Sequence, residues 1–66
     1  MNLLEVEIGK KYTISNMCEF TTLFEKGVIP GEQVVVSKRQ GGLVLFDIVG
    51  AGSFAIRYEE AKCIKV

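Results

Sequence analysis

Apolar and polar residues alternate around Tyr12 and Ile14, the apolar positions Phe20, Leu23 and Phe24 then recur at helical spacing, and alternation returns after Gly31. Alternation turns every second side chain to one face of a strand, whereas steps of three and four gather apolar side chains on one face of a helix. Residues 11 to 17 therefore read as a half-buried first strand with Tyr12 and Ile14 inward. A short helix follows from about Glu19 to Lys26, with Phe20, Leu23 and Phe24 inward and Thr21, Thr22 and Glu25 outward. Asn16 with Glu19 three residues on has the form of a capping box. Gly27, directly after Lys26, suits a left-handed residue closing the helix. Pro30-Gly31 fits the central pair of a type II turn. Ahead of the first strand, Leu3, Leu4, Val6 and Ile8 mix with Glu5 and Glu7 to give an extended, partly buried lead-in, and Lys10 and Lys11 follow Gly9 at a polar turn.

The second half can be aligned by requiring that side chains on one face share a character, since a one-residue slip reverses every face. Val34 and Val36 need the side of Val44, Phe46 and Ile48 if Asp47 is to remain in water. A two-residue Gly41-Gly42 turn would pair Val36 with Asp47 and fails that requirement. A three-residue loop, Gln40-Gly41-Gly42, pairs Val36 with Phe46 and Val34 with Ile48, and sets Val35 beside Asp47. The same reasoning at Gly50-Ala51-Gly52 pairs Ile48 with Phe54 and Phe46 with Ile56. Glu59-Glu60-Ala61 reads as one helical or 3₁₀ turn, and Cys63-Ile64-Lys65-Val66 as a final strand with Ile64 and Val66 inward. The sum is an all-β chain of about five short strands with one short helix between the first and second. Its size and tight glycine turns favour a small closed or nearly closed barrel, which leaves few edges exposed.

Composition narrows what such a domain can do. Sixty-six residues make one domain near the lower size limit, where only about 60% of the unfolded chain's surface is buried on folding. A hydrophobic content of 48% exceeds what so small an interior encloses, so some apolar side chains face outward. Eight basic and eight acidic residues cancel, without the basic excess of a nucleic-acid surface. The longest apolar run, Leu43 to Phe46, is too short to span a bilayer. No signal peptide is visible, and the expected location is the cytoplasm.

Three blocks of the sequence resemble the FeoA family, the small ferrous iron transport protein A domains. Gly9-Lys10-Lys11-Tyr12-Thr13-Ile14 resembles the family's glycine-led first strand. Leu23 through Gly31 resembles its leucine, glycine and Pro-Gly block. Gly52 through Val66 resembles its closing block, with an Ala-x-Arg core at Ala55-Ile56-Arg57, a Glu-Ala pair at Glu60-Ala61 and a terminal Ile-x-Val at Ile64-Lys65-Val66. The middle, Gly41 to Val49, is more apolar than the polar hairpin tip of the family. The resemblance implies an SH3-like barrel acting as a cytosolic accessory to FeoB, the membrane iron transporter with a G-protein domain. A similar barrel closes iron-dependent transcriptional repressors, so a metal-responsive regulatory domain is the alternative, and a self-associating barrel without a transport role is a third reading.

Candidate chemistry is sparse. There is no histidine, and the only adjacent carboxylates are Glu59 and Glu60, which on an extended chain point to opposite faces; no enzyme is expected. Ferrous sites draw on histidine with carboxylate or on clustered thiolates. Cys18 and Cys63 are therefore the only weak metal candidates, and no cofactor is expected. They are read as two reduced thiols, with a disulfide between them as the alternative, and they could meet if the first and last strands pair. The glycine turns lack the Lys-Ser/Thr of a P-loop. The positive signal is the outer face, where Val35, Leu43, Leu45, Val49 and Ala55 are expected to lie with Ser37, Arg39, Asp47 and Arg57. A contiguous apolar patch marks a contact site, and Arg39 and Arg57 at its border would fix orientation. With the helix-turn block, the candidate partner-binding residues are Leu23, Lys26, Val28, Pro30, Val35, Arg39, Leu43, Leu45, Val49 and Arg57. The expected partner is the cytoplasmic part of a FeoB-like transporter, with no nucleic acid, no direct membrane insertion and a possible homo-oligomer.

Overall fold

In a computed structural model, which describes residues 1–18 and 21–66, the chain is mostly β. Among the described residues six strands form two antiparallel sheets: β1 (Lys11–Thr13), β3 (Gln33–Gln40), β4 (Leu43–Ile48) and β5 (Gly52–Arg57) in the order β1-β3-β4-β5, and β2 (Asn16–Met17) with β6 (Ile64–Lys65). The same residues hold two short helices, α1 (Thr21–Glu25) and α2 (Tyr58–Ala61). The two sheets share one core, and among the described residues they do not join into a closed ladder.

The expected first strand is divided between the sheets. The Ile14 N–H donates to the Glu32 carbonyl at 2.9 Å and the Gly31 N–H to the Ile14 carbonyl at 2.8 Å, so the Pro30-Gly31 turn is fastened to the end of β1. One residue later the Ser15 N–H donates to the Lys65 carbonyl at 2.8 Å, and the chain has crossed to β6. Ile14, fully buried, sits at the crossing. Asn16 is consequently a strand residue opposite Lys65 and not a helix cap, and its side chain accepts from the Met17 N–H. The Glu19 partner of that expected cap and the inward placement of Phe20 lie outside the described residues.

The end of α1 is set by its backbone bonds. The Gly27 N–H reaches the Phe24 carbonyl at 3.1 Å and the Val28 N–H reaches the Leu23 carbonyl at 2.9 Å, the paired bonds of a Schellman ending. Gly27 has φ +100°, the left-handed conformation that glycine adopts without penalty. Leu23 and Val28, joined by that bond, are both buried. Phe24, expected inward, lies one residue round the helix from Leu23 and is exposed, because the side that Leu23 turns to the core is continued by Val28 beyond the helix end and not by Phe24.

The central hairpin reaches the expected pairing by another route. Val34 lies opposite Ile48, Val35 opposite Asp47 and Val36 opposite Phe46. The loop, however, has two residues, Gly41 and Gly42, both at positive φ, which the tight type I′ hairpin turn requires. The offset is absorbed by a bulge between Val36 and Lys38 that leaves Ser37 unpaired. In the second hairpin Phe46 faces Phe54 and Val44 faces Ile56, two residues from the expected register. The loop is Val49-Gly50-Ala51, closed by the Ala51 N–H on the Ile48 carbonyl at 3.0 Å. A two-residue shift leaves each side chain on its face.

The core holds Val34, Val36, Val44, Phe46, Ile48 and Ile56 from the large sheet, Ile14 from the crossing, Leu23 and Val28 from the α1 block, Ala61 from α2 and Ile64 from β6. Phe46 and Phe54 stack with ring centroids 5.5 Å apart. Leu3 and Val6 complete the core from a segment that turns and does not run extended. The Glu5 N–H donates to the Asn2 carbonyl at 3.0 Å, and the Asn2 side chain accepts from the Leu4 N–H at 2.8 Å. That turn lets Leu3 and Val6 face inward together, while Ile8 beyond it is exposed.

Candidate interaction surface

The outer face of the large sheet is built row by row from the register. Leu43 lies between Gln40 of β3 and Arg57 of β5, Leu45 between Lys38 and Ala55, and Asp47 between Val35 and Ser53. Leu43 and Leu45 retain 42% and 38% of their accessible surface, large values for leucine within a sheet. Nothing in the N-terminal turn covers them, because Leu3 and Val6 point into the core on the opposite side. Ser37, displaced by its bulge, donates from Oγ to the Leu45 carbonyl at 3.2 Å. Asp47 accepts from the Ser53 hydroxyl, so its carboxylate is held within its own row.

The bulge also decides which cation borders this face. By unbroken alternation Arg39 would lie outside. Beyond Ser37 the parity reverses, so Lys38 stands opposite Leu45 on the outer face and Arg39 opposite Val44 on the inner one. From there the Arg39 Nη1 donates to the carbonyls of Leu3 at 3.0 Å and Val6 at 2.7 Å. Arg39 is thus a fastener of the N-terminal turn and not a rim charge. Arg57 is where alternation puts it, exposed beside Leu43. Its N–H donates to the Glu60 carboxylate at 3.2 Å and its guanidinium lies 3.9 Å from Glu59, a contact between exposed groups that contributes little.

The helix-turn block divides in the same way. Leu23 and Val28 are buried and hold the block in place, while Lys26 and Pro30 are exposed together with Phe24. Val49 opens the second hairpin loop instead of ending β4, and its N–H is tied to the Gln33 carbonyl at 3.0 Å. Half of its surface is exposed. The last residue of that loop, Ala51, has its Cβ 3.1 Å from where a Cβ on Gly27 would stand. The α1 block and the Val49-Gly50-Ala51 loop are therefore adjacent. Phe24, which the helical pattern sent inward, and Lys38, to which the sequence reading gave no face, are surface residues absent from the expected set. Neither the helix's length nor the position of the bulge has a signal in apolar spacing.

Cys18 and Cys63, expected as separate thiols, form a disulfide with Cα atoms 5.2 Å apart, because β2 and β6 do pair. Among the described residues no group of three or more histidine, cysteine, aspartate or glutamate side chains is placed to hold a metal ion. No described helix is long and apolar enough to cross a membrane. The family model of the FeoA domain matches residues 1–66, the whole chain. No curated protein and no solved structure matches it.

Proposed function

Because the chain belongs to the FeoA domain family, a family of small proteins associated with ferrous iron transport, we propose that it works without catalysis, as an interaction module on the cytoplasmic part of a FeoB-like transporter. The observation that carries this reading is the exposed apolar row Leu43–Leu45 on a sheet face that no other part of the described chain covers. Contiguous exposed apolar surface on a small domain favours a protein contact. Lys38 and Arg57 on either side of the row supply charges that orient an incoming surface. Phe24 with Lys26 and Pro30, next to the Val49-Gly50-Ala51 loop, forms the second part of the surface. Val35 lies on the same face, half-buried between Lys11 and Asp47. Iron is the transporter's cargo on this reading, and the module needs no iron site of its own.

The test is a chemical-shift titration of labelled protein with the soluble G-protein domain of a cognate FeoB. Shifts clustered on Leu43, Leu45, Lys38 and Arg57, or on Phe24, Lys26 and Val49, are the expected result. Leu45→Glu should reduce binding tenfold or more, on the scale of a central interface residue, and leave the fold unchanged. Absence of shifts at high partner concentration would rule out this surface for that domain.

A further inference from the structure

The small sheet is held by two register pairs, Asn16 with Lys65 and Met17 with Ile64. One step further in the same register stand Cys18 and Cys63, bonded through their sulfurs, with the Cys18 N–H on the Cys63 carbonyl at 3.2 Å. The disulfide therefore extends a ladder that is otherwise only two pairs long. It lies outside the core: Cys18 is exposed and Cys63 half-buried, and neither belongs to the buried apolar cluster. Small domains that depend on disulfides for folding lack an adequate core and carry several bridges. This domain has a core of thirteen buried apolar residues among those described and a single bridge at the margin of its shorter sheet. Solvent-exposed bridges of this kind are the ones that exchange with external thiols.

We propose that Cys18 and Cys63 form a reversible dithiol–disulfide site in a domain that stays folded in both states, with Cys18 as the sulfur that exchanges with a small-molecule thiol or disulfide. Closure begins when the Cys18 thiol loses its proton and the thiolate attacks one sulfur of a low-molecular-weight disulfide. The Cys18–S bond forms, the S–S bond of the small molecule breaks, and one thiolate leaves. The Cys63 thiol then loses its proton, and its thiolate attacks Cys18 Sγ and expels the second small-molecule thiolate. Two electrons pass from the protein dithiol to the external disulfide, and the two protons end on the two released thiols. Opening is the reverse. The backbone of β2 and β6 holds the two Cα atoms 5.2 Å apart, within the range a disulfide spans, so closure needs no large movement. Its consequence is local: when closed, the chain three residues ahead of α1 is covalently joined to the C-terminal strand, and when open only the short ladder joins them.

The experiment equilibrates the full chain under anaerobic conditions in mixtures of reduced and oxidised glutathione, traps free thiols with N-ethylmaleimide and weighs the products. The expected result is passage from two labels to none as the mixture becomes oxidising, reversed on returning to a reducing mixture. Cys63→Ser should accumulate glutathione on Cys18, whereas Cys18→Ser should take up little on Cys63. Amide spectra of the two states should differ around residues 16–18 and 63–65 and agree through Val34–Phe46. Two labels at every ratio, or none under reducing glutathione, would overturn the proposal. So would glutathione taken up preferentially on Cys63, or a reduced chain that has lost the dispersed spectrum of a folded protein, which would make the bridge a structural one.

Discussion

Arg39 changes role through a displacement of one residue. Its guanidinium lies on the core side of the large sheet, where it donates to the Leu3 and Val6 carbonyls, and those are the two residues by which the N-terminal turn enters the core. Arg39→Met keeps much of the apolar stem but leaves both carbonyls without that donor. A buried group deprived of its partner costs about 1–3 kcal/mol, so urea denaturation should show a loss of that size. The first amides to gain exchange should be those of the N-terminal turn. Partner binding through the outer face should be unaffected, because Arg39 does not reach it. Leu45 is the converse case: it lies on the same strand as Phe46 but on the opposite face, so Leu45→Glu should alter stability by no more than about 0.5 kcal/mol, as surface substitutions do. Gly27 is a third residue with a definite expectation. Gly27→Ala would place a side chain at φ +100° and 3.1 Å from Ala51 Cβ, straining the helix ending and pressing on the second hairpin loop together. A loss of about 1–2 kcal/mol in thermal or urea unfolding is expected, the sum of left-handed strain and local crowding.

Among the elements, the hairpins show how far alternation carries. The pairs Val34–Ile48 and Val36–Phe46 follow from one requirement, that Asp47 stay in water while its neighbours are buried, and the structure has them. Alternation counts faces, however, and a three-residue loop and a two-residue loop with a bulge give the same count at the core. The two differ only between the bulge and the turn, which is where Lys38 and Arg39 exchange faces. The same insensitivity explains the second hairpin, where a register two residues away satisfies every face. The α1 block was legible in its punctuation: Gly27, Pro30 and Gly31 have the backbone roles that their chemistry dictates. Its apolar side was not, because Leu23 and Phe24 are neighbours in sequence and the Gly27 ending brings Val28, not Phe24, to the core beside Leu23. Deleting Ser37 tests the hairpin directly. The shortened strand should keep Val36 opposite Phe46, Lys38 opposite Leu45 and Arg39 opposite Val44, now in an unbroken ladder on the same Gly41-Gly42 turn. Cross-strand nuclear Overhauser contacts would report it, and a shift of Lys38 to the core side would contradict the bulge.

For the whole molecule, the decisive feature is how little stability a chain of this size has in reserve. At about 0.05–0.15 kcal/mol per residue, 66 residues have roughly 3–10 kcal/mol in all. The Cys18–Cys63 bridge spans 45 positions of the chain, and closing a loop of that length restricts the unfolded ensemble by about 4 kcal/mol in the chain-entropy model, with 2–4 kcal/mol typical. Reduction should therefore lower the unfolding free energy by about 2–4 kcal/mol. Truncating Phe46, fully buried and stacked on Phe54, costs about 3–5 kcal/mol. Each change alone is within what the larger part of that range tolerates, and the two together are not. Phe46→Ala should accordingly fold when the bridge is closed and unfold when it is opened, while the unsubstituted domain folds in both states. Circular dichroism in denaturant series with and without reductant measures all four combinations. Bridge and core act on different states, the unfolded chain and the folded interior, so their contributions should add to within about 0.5 kcal/mol, as independent sites do. A larger coupling would mean that the bridge also restrains packing around Phe46, a contact between the margin of the small sheet and the centre of the large one that the folded arrangement does not contain.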